Sequence, residues 1–439
     1  MKFFIKKLGC PKNDVDGDYI AGQLIDAGHT PSLNDEEADI VIVNTCGFIL
    51  PAKEESIEEI LYYEKLKEAG RIKKLYITGC LGQRYGPELI DEIKGIDGIF
   101  GLGKIGELTD SIGDNKSGTV DIFPDVRREL NFISGMPRYV DSRYPYEYLK
   151  IADGCDRFCS YCAIPGIRGK YRSRPIDDII REAEFLASKG KKELILVSQE
   201  GSGYGRDFDD EINIISLLNE LEKIRGIEWI RLMYLHPESV TDELIELMTH
   251  SDKILGYFDI PLQHISDRIL KSMNRPVTRL KIEKILGKIR RESSQNIIRT
   301  TFIAGFPGEA DMEFLELKDF VRDFEFDRLG VFQYSPEEGT KAAGFSGQVA
   351  ESTAAERVDE LMLLQQEIAF AKNIALIDSF QKVIIDEVNT MGPALGRTAG
   401  DCPEIDQTVF IKGVPMQPGD FKDVRIVMVE GYDLIAEAG

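Results

Sequence analysis

Residues 155–162 read Cys-Asp-Arg-Phe-Cys-Ser-Tyr-Cys, and they form the most informative stretch of this 439-residue chain. Three cysteines at CxxxCxxC spacing lie on one short segment, where their thiolates can bind three of the four irons of a 4Fe–4S cluster. No other cysteine is near in the sequence, so the fourth iron would stay open to a ligand. A zinc site or three unrelated buried thiols are the alternatives, but zinc loops usually carry paired CxxC halves, and none of the four histidines is close in the sequence.

This cysteine triplet (Cys155, Cys159 and Cys162) follows the first strand of a predicted α/β series. Apolar runs predict strands at residues 148–151, 193–197, 229–233, 257–261, 298–303 and 329–332. Helical patterns predict helices at residues 176–189, 212–224, 242–250, 278–291 and 311–324. Six βα units of this kind fit a parallel barrel or an incomplete one, in which function lies in the loops that follow the strands.

The N-terminal part of the chain also alternates between strands and helices. Apolar runs predict strands at residues 3–8, 40–43 and 75–77, with helical patterns at 19–27 and 56–69 between them. A cysteine comes within three residues after each strand: Cys10, Cys46 and Cys80. Because ligands bind at the carboxyl ends of the strands in open α/β sheets, we expect these three N-terminal cysteines to converge on one edge of a parallel sheet.

The C-terminal part has a different pattern. Residues 352–375 carry apolar side chains at helical spacing and predict a connecting helix, after which short strands separated by glycine and proline turns predict a small β-barrel. Residues 378–439 hold 11 acidic and five basic residues, a net charge of −6. Cys402, far from the other cysteines in the sequence, is interpreted as a structural thiol.

Composition excludes several classes of protein. Apolar residues make up 43% of the chain, enough for a globular core, and no apolar run is long enough to span a membrane. The start lacks the apolar centre of a signal peptide, so we expect a cytoplasmic protein. The net charge of −22 suits a basic partner better than a phosphate backbone, although solubility alone would also explain it.

The triplet, with an aromatic residue before its last cysteine, resembles the signature of the radical S-adenosylmethionine enzymes. Residues 301–309, Thr-Phe-Ile-Ala-Gly-Phe-Pro-Gly-Glu, are similar to the glycine-containing turn of that family beside the adenosine, and residues 197–200 end a strand where cofactor contacts usually lie. The resemblance implies a partial (βα)6 barrel and S-adenosylmethionine on the open iron. It implies that reducing the cluster, with electrons from an external donor, yields a 5′-deoxyadenosyl radical. It assigns the cofactor contacts to Ser198, Gln199, Gly305 and Phe306.

The resemblance narrows to the methylthiotransferases over nearly the whole chain. The N-terminal cysteines look like those that hold a second 4Fe–4S cluster in that family, the terminal barrel looks like its TRAM domain, and residues 155–174 are closely similar to it. The implied domains are 1–117, an α/β domain with the second cluster; 118–140, a linker; 141–372, the radical core; and 373–439, the TRAM-like barrel. The implied metal ligands are Cys10, Cys46, Cys80, Cys155, Cys159 and Cys162, with no catalytic residue beyond them.

Three features favour the RimO-type branch, which methylthiolates the β-carbon of an aspartate in a small-subunit ribosomal protein. Residues 8–13, Leu-Gly-Cys-Pro-Lys-Asn, resemble the opening of that branch, and residues 334–340 carry Glu337 and Glu338 where the transfer RNA branch tends to have Arg-Pro. The acidic terminal module agrees, because RNA binding depends on basic residues. We therefore expect a ribosomal protein as partner and no binding to RNA or membrane. A solvated turn is the alternative for Glu337 and Glu338, and solubility alone is the alternative for the acidity of the terminal module.

Other interpretations stay open at this point. The enzyme could modify an adenosine in transfer RNA, or the chain could be a non-catalytic iron–sulfur protein that carries electrons or senses redox state. His264 follows a predicted barrel strand and could line the pocket or be a hydrogen-bonded rim residue. The basic run that starts at Arg168 could contact RNA, but substrate or cofactor contacts, or salt bridges, are preferred.

Overall fold

The computed structural model describes residues 1–113, 120–122, 135, 137–209, 211–389, 392–413 and 415–438. It divides into two compact units. The first unit contains Met1–Val140, Ala152–Asp178 and Glu337–Thr340. The second unit contains Asp141–Ile151, Ile179–Pro336 and Lys341–Gly439.

The N-terminal part of the first unit is a six-stranded parallel sheet in the order β2-β1-β3-β4-β5-β6. Its strands are β1 Lys2–Lys7, β2 Thr30–Pro31, β3 Ile40–Thr45, β4 Lys74–Thr78, β5 Gly98–Phe100 and β6 Val120–Ile122. Its helices are α1 Pro11–Asp26, α2 Leu50–Glu68, α3 Gly79–Glu92 and α4 Ile105–Gly113. Strand β6 lies within the stretch predicted as a linker, residues 118–140, most of which is outside the described residues.

Alternation along the central strand explains the helices on both faces of this sheet. Every residue of β3 is buried. Val41 and Val43 pack in one apolar cluster with residues of α2 and α3, whereas Ile40 and Ile42 pack in another with residues of α1 and α4. A strand that is apolar on both faces is typical of a covered parallel sheet.

The next elements along the chain are short. They are β7 Tyr146–Lys150, β8 Ala152–Asp153, α5 Ile164–Arg168, β9 Arg172–Ser173 and α6 Ile176–Ser188. Strands β8 and β9 form an antiparallel pair in the first unit, and the cysteine triplet lies between β8 and α5. Strand β7 belongs to the second unit.

The second unit is built on six parallel strands in sequence order. The further strands are β10 Glu193–Val197, β11 Trp229–Leu232, β12 Tyr257–Asp259, β13 Ile297–Ala304 and β14 Arg328–Gln333. Strands β7, β10 and β11 form one parallel sheet and β12, β13 and β14 another. Backbone hydrogen bonds from Leu235 to Asp259 (2.8 Å) and from Leu255 to Ile230 (2.9 Å) connect β11 and β12. The result is the partial (βα)6 barrel that the sequence predicts.

Helices separate these strands and end in a long connector. They are α7 Ile214–Glu222, α8 Asp242–His250, α9 Asp267–Ser272, α10 Arg279–Glu292, α11 Asp311–Phe324 and α12 Glu351–Ile374. The bounds of β10, α8 and α11 equal the predicted ones, whereas the short helix α9 was not predicted. Among the described helices, none combines the length and the apolar character needed to cross a membrane.

The chain ends in a closed five-stranded barrel of order β15-β16-β17-β19-β18. Its strands are β15 Phe380–Val388, β16 Ala394–Thr398, β17 Val409–Lys412, β18 Phe421–Glu430 and β19 Asp433–Ala438. Glu193 of β10 holds this barrel within the second unit, since its carboxylate is 2.9 Å from Nε of Arg231 and 2.8 Å from Nη1 of Arg397. Trp229 packs edge-on against Phe421, so the single tryptophan is a core residue.

Candidate functional site

The three N-terminal cysteines lie at one edge of the parallel sheet. Cys10 is the residue before α1, Cys46 follows β3, and Cys80 is the second residue of α3, directly after β4. Strands β1, β3 and β4 are neighbours and run parallel, so their carboxyl ends meet. The structure therefore brings together three residues that are far apart in the sequence.

Gly9 allows the loop of Cys10 to approach the loop of Cys46. Its φ of +92° is in the region that favours glycine, and a Cβ atom there would lie 2.6 Å from Cβ and 2.8 Å from Sγ of Cys46. Any other residue would be strained and would push against the neighbouring cysteine. The close packing of these two loops depends on this glycine.

Asn13 connects the ends of the strands. Its amide Nδ2 donates to the carbonyl oxygens of Leu8 (3.1 Å) and Thr45 (2.8 Å). The backbone carbonyl of Asn13 accepts a hydrogen bond of 2.6 Å from the side-chain amide of Asn44, and Oδ1 of Asn13 lies 3.8 Å from Sγ of Cys80. One buried amide thus contacts the ends of β1 and β3 and the cysteine of α3.

Hydrogen bonds from two helices fix the loop that holds Cys46. The hydroxyl of Ser56, in α2, accepts from the backbone N–H of Cys46 (3.0 Å) and donates to its carbonyl (2.9 Å). Nη1 of Arg84, in α3, donates to the carbonyl of Gly47 (3.0 Å). The position of the Cys46 thiol is therefore set by side chains of α2 and α3.

The chemistry of this donor set fits a metal cluster. Burial raises the pKa of the Cys46 thiol to about 12, and burial also raises the pKa of Cys80, against the opposing effect of the nearby Arg168 cation. Buried neutral thiols become thiolates when they coordinate metal. Within the described residues no group of three cysteine, histidine or carboxylate side chains is spaced for a single metal ion. A cluster does not require the three sulfur atoms to meet at one ion, since each thiolate binds a separate iron.

The cysteine triplet lies on a compact loop in the same unit. The N–H of Cys155 donates to the carbonyl of Gly169 (3.0 Å), and the N–H of Cys162 donates to the carbonyl of Cys159 (3.0 Å). All three cysteines are partly exposed, and Phe158 between them has a positive φ of 50°. The loop therefore presents its three thiols at a surface of the first unit.

Arg168 joins the two groups of cysteines. It is 1% exposed, its Nη2 donates to Oδ1 of Asn13 (2.6 Å), and its Nη1 is 3.0 Å from Asp153, two residues before Cys155. Its positive charge also lowers the pKa of Cys80, against the larger effect of burial. The salt-bridge interpretation of the basic run holds for Arg168, which a sequence alone would leave on the surface.

The predicted contacts of S-adenosylmethionine lie in the second unit. The hydroxyl of Ser198 accepts from the N–H of Glu200 (3.1 Å), and the side-chain amide of Gln199 is buried with neither of its atoms hydrogen-bonded to a described residue. Buried amides normally have partners, so Gln199 is suited to a polar ligand. Gly305 donates its N–H to the carboxylate of Glu309 (3.1 Å), while the ring of Phe306 is fully buried. These assignments stay predictions.

Glu200 and His264 are buried polar residues of the second unit that were not among the four predicted cofactor contacts. Glu200 accepts a hydrogen bond of 2.8 Å from Ser239 and pairs with Arg206. His264 is fully buried; its Nδ1 accepts from the N–H of Ser266 (3.0 Å), and its Nε2 is 3.5 Å from Glu309. The only sequence signal for such residues is their place after a barrel strand. Cys402 is buried in the terminal barrel region.

The partial (βα)6 barrel, together with a CxxxCxxC loop, defines a radical S-adenosylmethionine enzyme. Residues 149–321 match the Radical SAM superfamily, residues 379–438 the TRAM domain, and residues 2–101 the Uncharacterized protein family UPF0004. These matches confirm the predicted fold class. Membership of the radical superfamily implies one 4Fe–4S cluster and S-adenosylmethionine as cofactors.

Curated relatives identify the family. Proteins named ribosomal protein uS12 methylthiotransferase RimO from Desulfitobacterium hafniense, Clostridioides difficile and Thermosipho africanus are 42%, 43% and 44% identical to this chain. The alignments cover 99%, 100% and 99% of this chain and 98% of each relative. The chain belongs to this family of radical methylthiotransferases, which confirms the family and the enzyme class predicted from the sequence.

A solved structure agrees with the fold. The radical S-adenosylmethionine methyltransferase TsrM from Kitasatospora setae, described with cobalamin and a [4Fe-4S] cluster bound, superimposes with a TM-score of 0.55. It is 15% identical, and the match covers 78% of this chain and 76% of TsrM. At this identity the similarity concerns the fold alone.

Proposed function

We propose that this protein inserts a methylthio group at the β-carbon of an aspartate in the small-subunit ribosomal protein uS12. The observation that carries the proposal is the presence of two groups of three cysteines in the first unit, connected through Arg168 and Asn13. Relatives named as uS12 methylthiotransferases, aligned over nearly the full length, support the choice of substrate.

Each group of cysteines would hold one 4Fe–4S cluster. Cys155, Cys159 and Cys162 would bind the first, and the N-terminal cysteines would bind the second, which we call the N-terminal cluster. Three ligands for four irons leave one corner of each cluster open. When bound, S-adenosylmethionine and the two clusters supply a hydrogen-abstracting radical and the sulfur that is transferred.

The reaction needs this chemistry because the β C–H bond of the substrate is not acidic enough for a side-chain base. The contribution of the chain is to place and orient, and to exclude water. Asn13 and Arg168 fix the loops of Cys10 and Cys80, and burial of Cys46 and Cys80 keeps water from two of the N-terminal thiols. Gln199 offers a buried donor and acceptor for the proposed contact with S-adenosylmethionine.

Charge supports a basic protein as substrate. The chain has a net charge of −22, and complementary charge speeds encounter with a lysine- and arginine-rich partner. Glu337, which the sequence offered as a mark of this branch, has a buried carboxylate bound by two cations. That carboxylate is therefore paired within the protein, where it stabilises the structure. The absence of RNA binding, the external electron donor and the cytoplasmic location remain part of this proposal.

Two Cys→Ala triple variants test the proposal. Anaerobically reconstituted wild-type protein should contain about eight irons and each triple variant about four. Replacing Cys10, Cys46 and Cys80 should leave formation of 5′-deoxyadenosine but abolish methylthiolation, whereas replacing Cys155, Cys159 and Cys162 should abolish both. Only one cluster in the wild type would overturn the proposed second site.

The substrate is tested directly by mass spectrometry. Wild-type enzyme, a reductant and S-adenosylmethionine are incubated with purified uS12 and, separately, with unmodified transfer RNA. We expect the added methylthio mass on an aspartate of uS12 and none on the RNA. Modified adenosine would instead indicate that the substrate is transfer RNA. If no 5′-deoxyadenosine forms with either substrate, a non-catalytic iron–sulfur protein is favoured.

A further inference from the structure

A short segment from late in the chain, Glu337–Thr340, belongs to the first unit. The Glu337 side chain is 2% exposed, and its Oε2 is 2.8 Å from Nζ of Lys53 and 2.9 Å from Nη1 of Arg84. Lys53 is in α2 and Arg84 in α3, the helices that follow Cys46 and contain Cys80. One carboxylate therefore binds cations from both helices next to the N-terminal cysteines.

Arg84 connects the Glu337 carboxylate to the loop that follows Cys46. Its Nη1 also donates to the carbonyl of Gly47 (3.0 Å), the residue directly after Cys46, and its Nη2 donates to the carbonyl of Glu338 (2.7 Å). Arg84 lies about one helical turn beyond Cys80 on α3. The guanidinium thus connects the helix of one cysteine with the loop of another.

The loop and the helix have almost no room to adjust independently. A Cβ atom on Gly47 would lie 2.8 Å from the backbone N and Cα of Leu81, the residue after Cys80. A movement of α3 relative to this loop would therefore change the distance between the Cys46 and Cys80 thiols. The contacts of Arg84 oppose that movement.

Charge makes the glutamate necessary for this arrangement. The side chains of Lys53 and Arg84 are only 16% and 11% exposed, and both approach the same carboxylate oxygen. Without the negative charge, two poorly solvated cations would face each other and repel. Arg84 would then move away from Gly47 or take up a less favourable position against it.

We propose that Glu337 is a positioning residue for the N-terminal cluster. By holding Arg84 against the carbonyl of Gly47, it sets the spacing of Cys46 and Cys80 that the cluster requires. The inference rests on the proposed function, since it requires the N-terminal cysteines to bind a cluster. It assigns a role to a residue 253 positions from Arg84 in the sequence and outside every cysteine motif.

The test uses the variant in which Cys155, Cys159 and Cys162 are alanine, so that only the N-terminal cluster can form. Into this background we introduce Glu337→Gln. The matched control is Glu338→Gln, which makes the same change at the next residue, whose side chain is exposed. We expect Glu337→Gln to weaken iron retention against a chelator by about 10- to 100-fold, as loss of an outer partner does at metal sites. We also expect it to alter the electron paramagnetic resonance spectrum of the reduced cluster, and the control to match the background.

A fold control separates cluster positioning from general stability. Thermal unfolding of the metal-free proteins shows whether Glu337→Gln still folds. If it does not, Arg84→Lys is used instead, because lysine keeps the charge beside Glu337 but cannot also reach Gly47 with the same forked geometry. Loss of iron from a folded Arg84→Lys variant supports the proposal, and normal retention overturns it.

The outcomes distinguish this proposal from the function it rests on. A background variant that binds no iron overturns both. A background variant that binds about four irons, with Glu337→Gln and Glu338→Gln equal in iron retention and in spectrum, overturns only the role of Glu337.

Discussion

Nη2 of Arg168 donates a hydrogen bond of 2.6 Å to Oδ1 of Asn13, across 155 positions of sequence, and both side chains are buried. Asn13 lies three residues after Cys10, and Arg168 lies six residues after Cys162. A charged hydrogen bond in a buried site is strong, and it is costly to leave either partner without the other. This contact makes the two groups of cysteines parts of one packed structure.

We predict that Arg168→Gln destabilises the metal-free protein. The change leaves the carboxylate of Asp153 without its buried cation, and breaking a buried pair in this way costs about 3–5 kcal/mol. Urea unfolding of the metal-free protein measures the loss. In the variant lacking Cys155, Cys159 and Cys162, removal of the cation beside Cys80 should also lower the reduction potential of the N-terminal cluster.

Lys170→Gln is the matched control for Arg168→Gln, because it removes a positive charge from the same segment at an exposed position. Its effect on unfolding should be within about 0.5 kcal/mol. Equal free energies of unfolding for the two variants would contradict the role of Arg168.

We predict that Gly9→Ala disturbs the N-terminal cysteines. An alanine at a φ of +92° costs about 1–2 kcal/mol by itself, and its Cβ would lie 2.6 Å from Cβ of Cys46. The variant should therefore be less stable and should retain less iron at the N-terminal cluster. Urea unfolding and iron analysis in the background without Cys155, Cys159 and Cys162 measure the two effects.

Gly28→Ala separates the backbone cost from the clash. Gly28 has a φ of +86°, similar to that of Gly9, but a Cβ there meets no atom of the described residues within 4 Å. We expect it to lose stability by the conformational cost alone and to keep its iron. Identical iron contents in the two variants would show that the contact with Cys46 does not matter.

The sequence predicted what depends on local pattern. The strands before the N-terminal cysteines, and the bounds of β10, α8 and α11, follow from hydrophobic periodicity. In the structure the start of α8 is also fixed by Thr241, whose hydroxyl accepts from the N–H of Leu244 (3.2 Å). The convergence of the N-terminal cysteines followed from one rule about parallel sheets. These features require no knowledge of distant contacts.

What the sequence could not predict depends on partners far along the chain. The alternative of a solvated turn is correct for Glu338, which is exposed, and wrong for Glu337, which is buried by Lys53 and Arg84. Strand β16, Ala-Leu-Gly-Arg-Thr, contains a glycine and an arginine, so its sequence lacks the apolar pattern that predicts a strand. The buried guanidinium of Arg397 pairs with two carboxylates, those of Asp386 on the neighbouring strand and of Glu193, far earlier in the sequence.

We predict that Glu193→Gln destabilises the second unit. Glu193 is fully buried between Arg231 and Arg397, and removing its charge leaves two buried guanidinium groups close together. The expected loss is about 3–5 kcal/mol in the free energy of unfolding. The measurement is urea or thermal unfolding of the full chain without metal.

The control for Glu193→Gln is Glu228→Gln, at an exposed position just before β11. It should unfold within about 0.5 kcal/mol of the wild type. If the Glu193 variant has the same free energy of unfolding as this control, the ion pairs of Glu193 with Arg231 and Arg397 do not stabilise the second unit.

The last prediction concerns pH and Asp327. Burial opposes ionisation of this side chain, yet the cations of Arg290 and Lys372, each 2.6 Å away, hold its pKa below the ordinary value. A carboxyl whose pKa is lower in the folded state stabilises the fold above its unfolded pKa and loses that effect as the pH falls through the folded value. Wild type should thus exceed Asp327→Asn in stability at pH 7, and the difference should shrink below about pH 4.

Urea unfolding of wild type and Asp327→Asn at several pH values between 7 and 3 measures this difference. Asp323→Asn, at an exposed position on α11, is the control and should change stability by no more than about 0.5 kcal/mol at any of these pH values. Because the amide keeps the size of the carboxyl but not its charge, a difference between wild type and Asp327→Asn that stays constant with pH would mean that packing, and not the ion pairs with Arg290 and Lys372, is what Asp327 contributes.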